Sequence, residues 1–401
     1  MHRSTVRRLG LAAALLPAAL LALPPNAQAA ATAATTTTAT APAVFNDPAG
    51  SATDQSRIRD YVLALIEGTA AGTEIRVSMY GFTDDPVADA LVAAARRGVA
   101  VKVVVDHYTL GLDGTEYPTL QSGLGTDRSK ASWVLACPAG RACIADRGGI
   151  NHNKFFLFSQ VGGESNVVVQ TSANMTSTQR TDLFNNAVTL SDATLYGSYT
   201  AYFDDLVEYG SAASGLTDYY RTTTSGPYKD YFFPRHERSG TTPTTDPATD
   251  TVKLILDNVD CAGGTQIRVA MFAFTRTQVA QKLVDLQAAG CTVSLAFDGH
   301  TDPNGTPHLP PAVEEIVSGR LARRVECDDG PTGIGVHSKY LLVKGTYDGR
   351  AGRALVFTGS HNYTYGALRD NDEALLKVDD AAVYDAYQAD HDRLMDYCTG
   401  S

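Results

Sequence analysis

The 401-residue sequence has few basic side chains, one tryptophan and, after residue 29, no long hydrophobic run. No later stretch reaches about 18 consecutive apolar residues, so the mature chain is predicted to be soluble. Lys and Arg number 33 against 44 Asp and Glu, and the formal net charge of −11 disfavours a polyanionic partner held by a basic surface. None of the six cysteines lies in a CxxC pair, which disfavours a zinc site of that spacing.

The first 29 residues have the pattern of a secretory signal peptide. Three arginines precede an apolar stretch from Leu9 to Leu23, and Ala27-Gln28-Ala29 supplies small residues at a cleavage site. We therefore expect residues 1–29 to be removed and the protein to be secreted, with a formal charge of −14 once the three arginines are lost. Residues 30–44 are mostly Ala and Thr and are predicted to be a flexible leader.

The six cysteines fit export, because disulfides persist in oxidising compartments. Cys137 and Cys143 are close enough in sequence for a local bridge. Cys261 and Cys291 each precede a predicted strand at the same end of a sheet, which would leave Cys327 with Cys398. Six cysteines allow many other pairings, so these three are the favoured ones rather than the only ones.

The chain contains two copies of one pattern. Residues 74–106 and 266–298 align without a gap, and both contain an IRVxMxxFT strand, a helical segment ending at Gly98 or Gly290, and a second apolar strand ending in Asp. Each copy is predicted to be a βαβ unit with buried, parallel strands. The sequence therefore predicts an α/β protein built from a tandem duplication.

The duplication divides the mature chain into two halves. The N-terminal half is predicted to span residues 45–238 and the C-terminal half residues 251–401. Residues 239–250 are rich in Gly, Pro and Thr and are predicted to be a linker. Two similar halves in one chain suggest a pseudo-two-fold arrangement.

Each half continues with a strand that opens on a His-x-Lys motif. His152 and Lys154 precede one apolar run, and His337 and Lys339 precede the other. Residues i and i+2 share a face of a strand, so each histidine is expected to point the same way as its lysine. Two such pairs at equivalent places in a repeat favour a function over a structural role, and a pseudo-two-fold would bring them to one cleft.

A small polar turn follows the next apolar strand in both halves. It contains Ser172 and Asn174 in the first half, and Ser360 and Asn362 in the second. The asparagines can serve as turn residues, but their repeated spacing from the His-x-Lys motif favours a place in the site.

These residue types suit a phosphodiester substrate. Two facing histidines can act as nucleophile and as general acid, and two lysines with two asparagines can hold the phosphoryl oxygens. Because the lysines supply positive charge, we expect no metal and no cofactor.

The paired His-x-Lys and Ser-x-Asn motifs resemble those of the phospholipase D superfamily, over nearly all of the mature chain. The resemblance implies two α-β-α sandwich halves related by a pseudo-two-fold axis, with one active site between them. It implies that His152 is the nucleophile and His337 the general acid and base. It implies that Lys154, Lys339, Asn174 and Asn362 bind the phosphate and that Ser172 and Ser360 shape the turns.

The resemblance also implies a carboxylate that orients each histidine. In the second half the matching positions are Asp372 and Glu373, one of which is expected to orient His337. In the first half the position is Asn185, whose carbonyl could fix the tautomer of His152. The family pattern further has Asp five residues after each lysine, where this chain has Ser159 and Lys344.

Other histidines lack counterparts in the other half and are predicted to be non-catalytic: His107, His236, His300, His308 and His391. His361 lies inside a motif and is predicted to line the cleft. Asp106 and Asp298 end parallel strands, where carboxyl ends often face a site. The long insertion from Tyr108 to Arg147 precedes the first motif, and long loops near a site often set substrate choice.

The sequence therefore predicts a secreted phospholipase D-like phosphodiesterase that hydrolyses or transfers phosphatidyl groups through a phosphohistidine. Its partner would be a phospholipid or another phosphodiester, with room for peripheral membrane contact and no obligatory protein partner. A nuclease of the same superfamily is an alternative, although the acidic charge disfavours nucleic acid. A catalytically inactive binding protein is a second alternative, motivated by Ser159, Lys344 and Asn185.

Overall fold

The computed structural model describes residues 43–400, except for residues 243, 303 and 328–332. The predicted signal peptide and residues 30–42 of the predicted leader lie outside these residues. Ala43 and Val44, the last residues of the predicted leader, belong instead to a strand, because they pair with residues 187 and 188 of the first sheet.

In the first half, β-branched apolar runs form strands and amphipathic segments form helices. The strands are β1 (Ala43–Phe45), β2 (Glu74–Met79), β3 (Ala100–Val105), β4 (Trp133–Ala136), β5 (Lys154–Val161), β6 (Glu164–Thr171), β7 (Leu183–Phe184) and β8 (Asn186–Ser191). The helices are α1 (Ala52–Glu67), α2 (Asp85–Arg96), α3 (Tyr117–Leu124), α4 (Ser177–Thr181) and α5 (Ala193–Gly210), with a 3₁₀ segment at His107–Gly111.

The remainder of the chain repeats these elements and adds a hairpin at its start. The strands are β9 (Arg221–Ser225), β10 (Tyr228–Phe232), β11 (Val259–Asp260), β12 (Gln266–Met271), β13 (Thr292–Asp298), β14 (Arg323–Cys327), β15 (Gly335–Val336), β16 (Lys339–Tyr347), β17 (Arg350–Gly359) and β18 (Ala374–Asp379). The helices are α6 (Thr251–Asp257), α7 (Thr277–Ala288), α8 (Pro311–Val317), α9 (Tyr365–Arg369) and α10 (Ala381–Gly400), with a 3₁₀ segment at Pro247–Thr249. Within the described residues, no helix is long and apolar enough to cross a bilayer.

The two sheets have the same strand order. The first is β1-β8-β6-β5-β2-β3-β4, and the second is β10-β18-β17-β16-β12-β13-β14, with β9 outside β10 and β11 beside β16. As predicted, β2 and β3 are parallel, and so are β12 and β13. The His-x-Lys strands β5 and β16 run antiparallel to them. The shared topology confirms an α/β fold with two tandem repeats.

The hairpin of β9 and β10 belongs to the second sheet. Strand β10 pairs with β18, in the place that β1 takes beside β8 in the first sheet. The sequence had assigned these strands to the N-terminal half, residues 45–238. The predicted end of the N-terminal half, residue 238, therefore comes after two strands that belong to the second sheet. Residues 239–250, predicted to be a linker, lie between β10 and α6 of the second repeat.

Each half is layered as helices on both faces of its sheet. Helices α1, α2 and α3 cover one face of the first sheet, and α6, α7 and α8 cover one face of the second. The opposite faces share a single core with α5 and α10, which includes Tyr199 of α5 and Tyr387 of α10. Because this core draws on both halves, their docking is part of the fold.

Two glycines end the crossover helices as the repeat suggested. Gly98 and Gly290 follow α2 and α7 with φ of 94° and 101°, which is left-handed backbone that residues with a side chain rarely adopt. Each glycine turns the chain from its helix into the next parallel strand, and this fixes where that strand's carboxyl end lies.

Three disulfides join the pairs that the spacing favoured. They are Cys137–Cys143, Cys261–Cys291 and Cys327–Cys398. The third connects the end of β14 to α10, so the C-terminal helix is tied covalently to the edge of the second sheet.

Candidate active site

The two His-x-Lys motifs lie where strands of the sheets end. Lys154 is the first residue of β5 and pairs with Met79, the last residue of β2. Lys339 is the first residue of β16 and pairs with Met271, the last residue of β12. Both motifs therefore lie at the carboxyl ends of the central parallel strands.

The halves meet at these motifs through reciprocal contacts. The backbone N–H of His152 donates to the carbonyl of Asp372 (3.0 Å), and that of His337 donates to the carbonyl of Phe184 (2.9 Å). Strand β15, next to His337, also pairs in parallel with β7 of the first half. Matching contacts in both directions are what a pseudo-two-fold axis produces.

Each histidine is oriented by a residue of the opposite half. Nδ1 of His152 lies 2.9 and 3.0 Å from the two carboxylate oxygens of Glu373. Nδ1 of His337 lies 3.0 Å from Oδ1 of Asn185. The sequence had paired Asp372 or Glu373 with His337, and Asn185 with His152. That pairing was wrong, because the docking of the halves exchanges the partners.

The two serines of the Ser-x-Asn turns hold these orienting residues. The hydroxyl of Ser172 donates to Oδ1 of Asn185 (2.8 Å), and the hydroxyl of Ser360 donates to the carboxylate of Glu373. Both serines are fully buried. They therefore fix the orienting groups of both histidines.

Both lysines are buried and bend back towards their own histidines. Nζ of Lys154 donates to the carbonyl of His152 (2.7 Å), and Nζ of Lys339 donates to that of His337 (2.5 Å). An aromatic ring lies against each ammonium: Nζ of Lys154 is 5.2 Å from the centroid of Tyr80, and Nζ of Lys339 is 4.7 Å from that of Phe272. Each ammonium keeps further N–H donors beyond its one carbonyl.

The predicted asparagines lie beside the motifs with unequal contacts. Oδ1 of Asn174 accepts a hydrogen bond from the backbone N–H of Gly81 (3.3 Å). Oδ1 of Asn362 is buried and has no hydrogen-bond partner among the described residues. The neighbouring His361, predicted to line the cleft, is buried against Phe233 at 4.3 Å between ring centroids.

Three carboxylates support the motifs through the backbone. Asp372 accepts hydrogen bonds from the N–H groups of Ile144 (2.9 Å) and Ala145 (2.8 Å), so this predicted site residue joins the halves and does not orient His337. Asp106 accepts from the N–H of Asn151 (2.7 Å), and Asp298 accepts from that of the residue before His337 (3.0 Å). Asp106 and Asp298 therefore position the motifs from the ends of β3 and β13.

His308, which the sequence predicts to be non-catalytic, lies near the site. Nδ1 of His308 lies 2.6 Å from the buried carboxylate of Asp298. Its ring packs 4.1 Å from that of Phe272, which also packs 4.6 Å from the ring of His337. His308 has no counterpart in the first half, so the repeat gave no signal for it. His300 also contacts Asp298.

The replaced family positions lie away from the histidines. Ser159 accepts a hydrogen bond from the N–H of Glu74, at the start of β2, and Lys344 pairs with Asp385 near the surface. Both positions are at the opposite ends of β5 and β16 from the motifs. Their substitution therefore leaves the contacts of the site intact.

Burial dominates the protonation of the site. It lowers the pKa of His152 and His337 well below the ordinary value, and both lysines lower it further. Burial also lowers the pKa of Lys154 to about 7 and that of Lys339 well below its ordinary value. It raises the pKa of Glu373 to about 8. An anion placed among these bases would raise the pKa of each of them, because opposite charge favours the protonated form.

A protein-family description, cardiolipin synthase, PLD-like domain, matches residues 64–207 and 255–395 of this sequence. The chain belongs to the phospholipase D superfamily. Each matched segment contains one His-x-Lys motif, so the superfamily pattern covers both halves. No curated protein sequence matches the chain.

Two solved structures support the same fold. Phosphatidylserine synthase from Haemophilus influenzae aligns with 14% identity and a TM-score of 0.56, over 88% of this chain and 86% of that one. Polyphosphate kinase from Porphyromonas gingivalis aligns with 12% identity and a TM-score of 0.53, again over 88% of this chain but only 50% of that one. Nuc from Salmonella typhimurium, a phospholipase D family member, covers 41% of this chain at 21% identity and a TM-score of 0.30.

Among the residues that the structure describes, no group of three or more His, Cys, Asp or Glu side chains is arranged to hold a metal ion. Lys154 and Lys339 are the basic side chains bonded beside the two histidines, and their ammonium forms can contact a substrate anion.

Proposed function

We propose that the protein is a secreted phosphodiesterase of the phospholipase D type, which transfers the phosphatidyl group of a glycerophospholipid to water or to an alcohol. The observation that carries this proposal is the convergence of both His-x-Lys motifs on one buried site, with each histidine held through Nδ1 by the opposite half. A hydrogen bond at Nδ1 leaves Nε2 for chemistry.

In the first step, Nε2 of His152 attacks phosphorus and a P–N bond forms as the bond to the leaving alcohol oxygen breaks. His337, in its protonated form, gives its proton to that oxygen. Glu373 in its ionised form favours His152 as the nucleophile, because a carboxylate stabilises the positive charge that the ring acquires, and that developing charge in turn favours ionisation of Glu373. The amide of Asn185 does this less, so His337 gives up its proton more readily.

In the second step, water or an alcohol attacks the phosphohistidine. Neutral His337 takes the proton of the attacking O–H, a new P–O bond forms, and the P–N bond to His152 breaks. Water as acceptor yields a phosphatidic acid, and an alcohol yields a new phospholipid. The two histidines end each cycle in their starting forms.

Lys154, Lys339, Asn174 and Asn362 are proposed to hold the non-bridging oxygens. The lysines are preorganised by their bonds to backbone carbonyls, so little reorganisation is needed when charge develops on phosphorus. Their low pKa values would rise when the phosphodiester binds, which makes substrate binding and lysine protonation mutually supportive.

The lipid substrate is supported by three separate observations. The matching family description names a cardiolipin synthase, and one structural neighbour is a phosphatidylserine synthase. The net charge of −11 disfavours a long polyanion such as DNA.

Secretion is supported by the pattern of residues 1–29 and by the three disulfides.

The test uses purified protein in EDTA with phosphatidylcholine vesicles in one reaction and plasmid DNA in another. We expect choline release that His337→Ala lowers by roughly 10²- to 10⁴-fold, the usual share of general acid catalysis. His152→Ala should prevent covalent trapping of labelled phosphate from the lipid. His236→Ala, a histidine outside the site, is the matched control and should retain activity.

Two other outcomes would contradict the proposed phospholipase activity and favour one of the alternatives. DNA cleavage without choline release would make the protein a nuclease. Failure to trap phosphate with any diester, in folded protein with both histidines intact, would support an inactive binding protein and contradict the proposal.

A further inference from the structure

The 3₁₀ segment His107–Gly111 exposes apolar side chains beside the site. Tyr108 is 50% exposed and Leu110 is 37% exposed, and these are the two large hydrophobic side chains that stand out of the surface in the described part of the chain. Single exposed apolar residues are ordinary, but here both lie on one five-residue segment.

Two hydrogen bonds hold the 3₁₀ segment against the rest of the first half. The carboxylate of Asp106 accepts a hydrogen bond from the N–H of Tyr108 (2.8 Å). The hydroxyl of Thr109, which is fully buried, donates to the carbonyl of Tyr80 (2.6 Å). Anchoring Thr109 inward leaves its neighbours Tyr108 and Leu110 directed to solvent.

A series of two ring contacts connects the 3₁₀ segment to His152. The ring of Tyr108 stacks on that of Tyr80 at 4.8 Å and an interplanar angle of 5°. The ring of Tyr80 in turn lies 5.2 Å from that of His152, and Nζ of Lys154 is 5.2 Å from the Tyr80 centroid. One aromatic ring, that of Tyr80, therefore separates Tyr108 from the proposed nucleophile.

The corresponding segment of the second half is polar. In the gapless alignment of the two βαβ units, extended past Asp298, His300 stands opposite Tyr108 and Asp302 opposite Leu110. His300 is bonded to the carboxylate of Asp298. Among the described residues, the exposed apolar pair on the His152 side therefore has no counterpart on the His337 side.

We propose that Tyr108 and Leu110 form an interfacial contact that seats the protein on a phospholipid bilayer and directs the cleft to it. This inference rests on the proposed function and specifies how the lipid is reached. Tyr suits the headgroup level, because its ring is apolar and its hydroxyl polar, and Leu suits the acyl boundary. Residues 107–116 contain no Lys or Arg but include Asp113, so the contact would depend on apolar burial and tolerate zwitterionic lipid.

Single-stranded nucleic acid is the competing occupant, since aromatic rings stack on bases. Two features disfavour it. Leu110 has no ring that could stack on a base. The segment also has no Lys or Arg that could contact the phosphate backbone.

The first experiment measures binding without turnover. His152→Ala protein without residues 1–29, the predicted signal peptide, is sedimented with phosphatidylcholine vesicles, either alone or combined with Leu110→Ser, Tyr108→Trp or His107→Ser. We expect Leu110→Ser to weaken vesicle partitioning by about fivefold, Tyr108→Trp to strengthen it, and the exposed control His107→Ser to leave it unchanged. Equal partitioning of all four proteins would overturn the proposal.

The second experiment compares substrates in protein with His152 intact. Leu110→Ser should slow release from vesicles by about fivefold and leave turnover of a short-chain monomeric phosphatidylcholine unchanged. An equal loss on both substrates would contradict an interfacial role. Salt-sensitive binding of an oligonucleotide that Tyr108→Ser abolishes would assign the segment to nucleic acid instead. Vesicle binding through Leu110 without turnover of any lipid would refute the proposed function but not the contact.

Discussion

The two histidines are chemically unlike, although their motifs are repeats. His152 contacts the carboxylate of Glu373, and His337 contacts the amide oxygen of Asn185. Both histidines are buried near two lysines, which lowers their pKa values. An ionised carboxylate neighbour would favour an imidazolium, and an amide would not. In the proposed mechanism, this one residue difference between the repeats separates the nucleophile from the acid.

The Asn185→Asp variant tests this division. A carboxylate in place of the amide, 3.0 Å from Nδ1 of His337, should raise the pKa of His337. If protonated His337 is the acid, the alkaline limb of the pH–rate profile should move up by about one pH unit. An unmoved alkaline limb, with activity retained, would show that another group donates the proton.

The reciprocal variant is Glu373→Gln, which gives His152 the same kind of partner that His337 has. The amide should still orient the ring, but it stabilises the phosphohistidine cation less. We expect kcat to fall by roughly 10- to 100-fold with a smaller change in KM. A change confined to KM would mean that Glu373 serves substrate binding.

At the scale of single residues, the two motifs were predictable from the sequence, but the residues that orient their histidines were not. His152, His337, both lysines and the Ser-x-Asn turns recur at fixed spacing, so the repeat signals them. The exchange of Asn185 and Glu373 depends on how the halves dock, and no spacing within a half encodes docking. The place of His308 beside the site was not predictable for a related reason, because its contact with Asp298 depends on the loop after β13 and not on the repeat.

At the scale of elements, the buried βαβ units were predictable and the edge strands were not. In β2 and β12, Ile, Val and Met alternate along one buried face that packs against helices, and this alternation produces a strong sequence signal. β9 reads RTTTS and is largely exposed at the sheet edge, so it has no such signal. β10 is aromatic and buried over its last three residues, which indicates a strand, but nothing local in the sequence indicates that it pairs with a strand almost 150 residues later.

The disulfides should differ in their contribution to stability. Cys327 and Cys398 close a loop with a sequence separation of 71, against 6 for Cys137 and Cys143. In the chain-entropy account, the longer loop restricts the unfolded chain more, by about 4 against about 2 kcal/mol. Replacing each pair with alanines and measuring the free energy of unfolding in urea should reproduce that order. Equal losses would mean that packing around the sulfurs, and not loop closure, sets the effect.

At the scale of the whole molecule, the site exists only where the halves are docked. Neither histidine has its orienting group within its own half, and the central core draws side chains from both. Asp372 lies at this junction, with its carboxylate on the N–H groups of Ile144 and Ala145 and its carbonyl on the N–H of His152. The interface is therefore part of the geometry of the candidate site and not only a source of stability.

The pH dependence of docking can be tested with Asp372→Asn. Burial raises the pKa of Asp372 from 3.8 to about 7, so the folded protein binds this proton more tightly than the unfolded chain does. Stability from this group is then full below about pH 4 and is lost as pH rises through about 7. Asparagine cannot titrate, so the wild type should exceed the variant by about 2 kcal/mol more at pH 5 than at pH 8. Urea unfolding of both proteins at the two pH values measures this, and the other titrating groups cancel in the difference. A constant gap would mean that the N–H donors of Ile144 and Ala145 keep Asp372 ionised throughout, and that the junction is held by charge at both pH values.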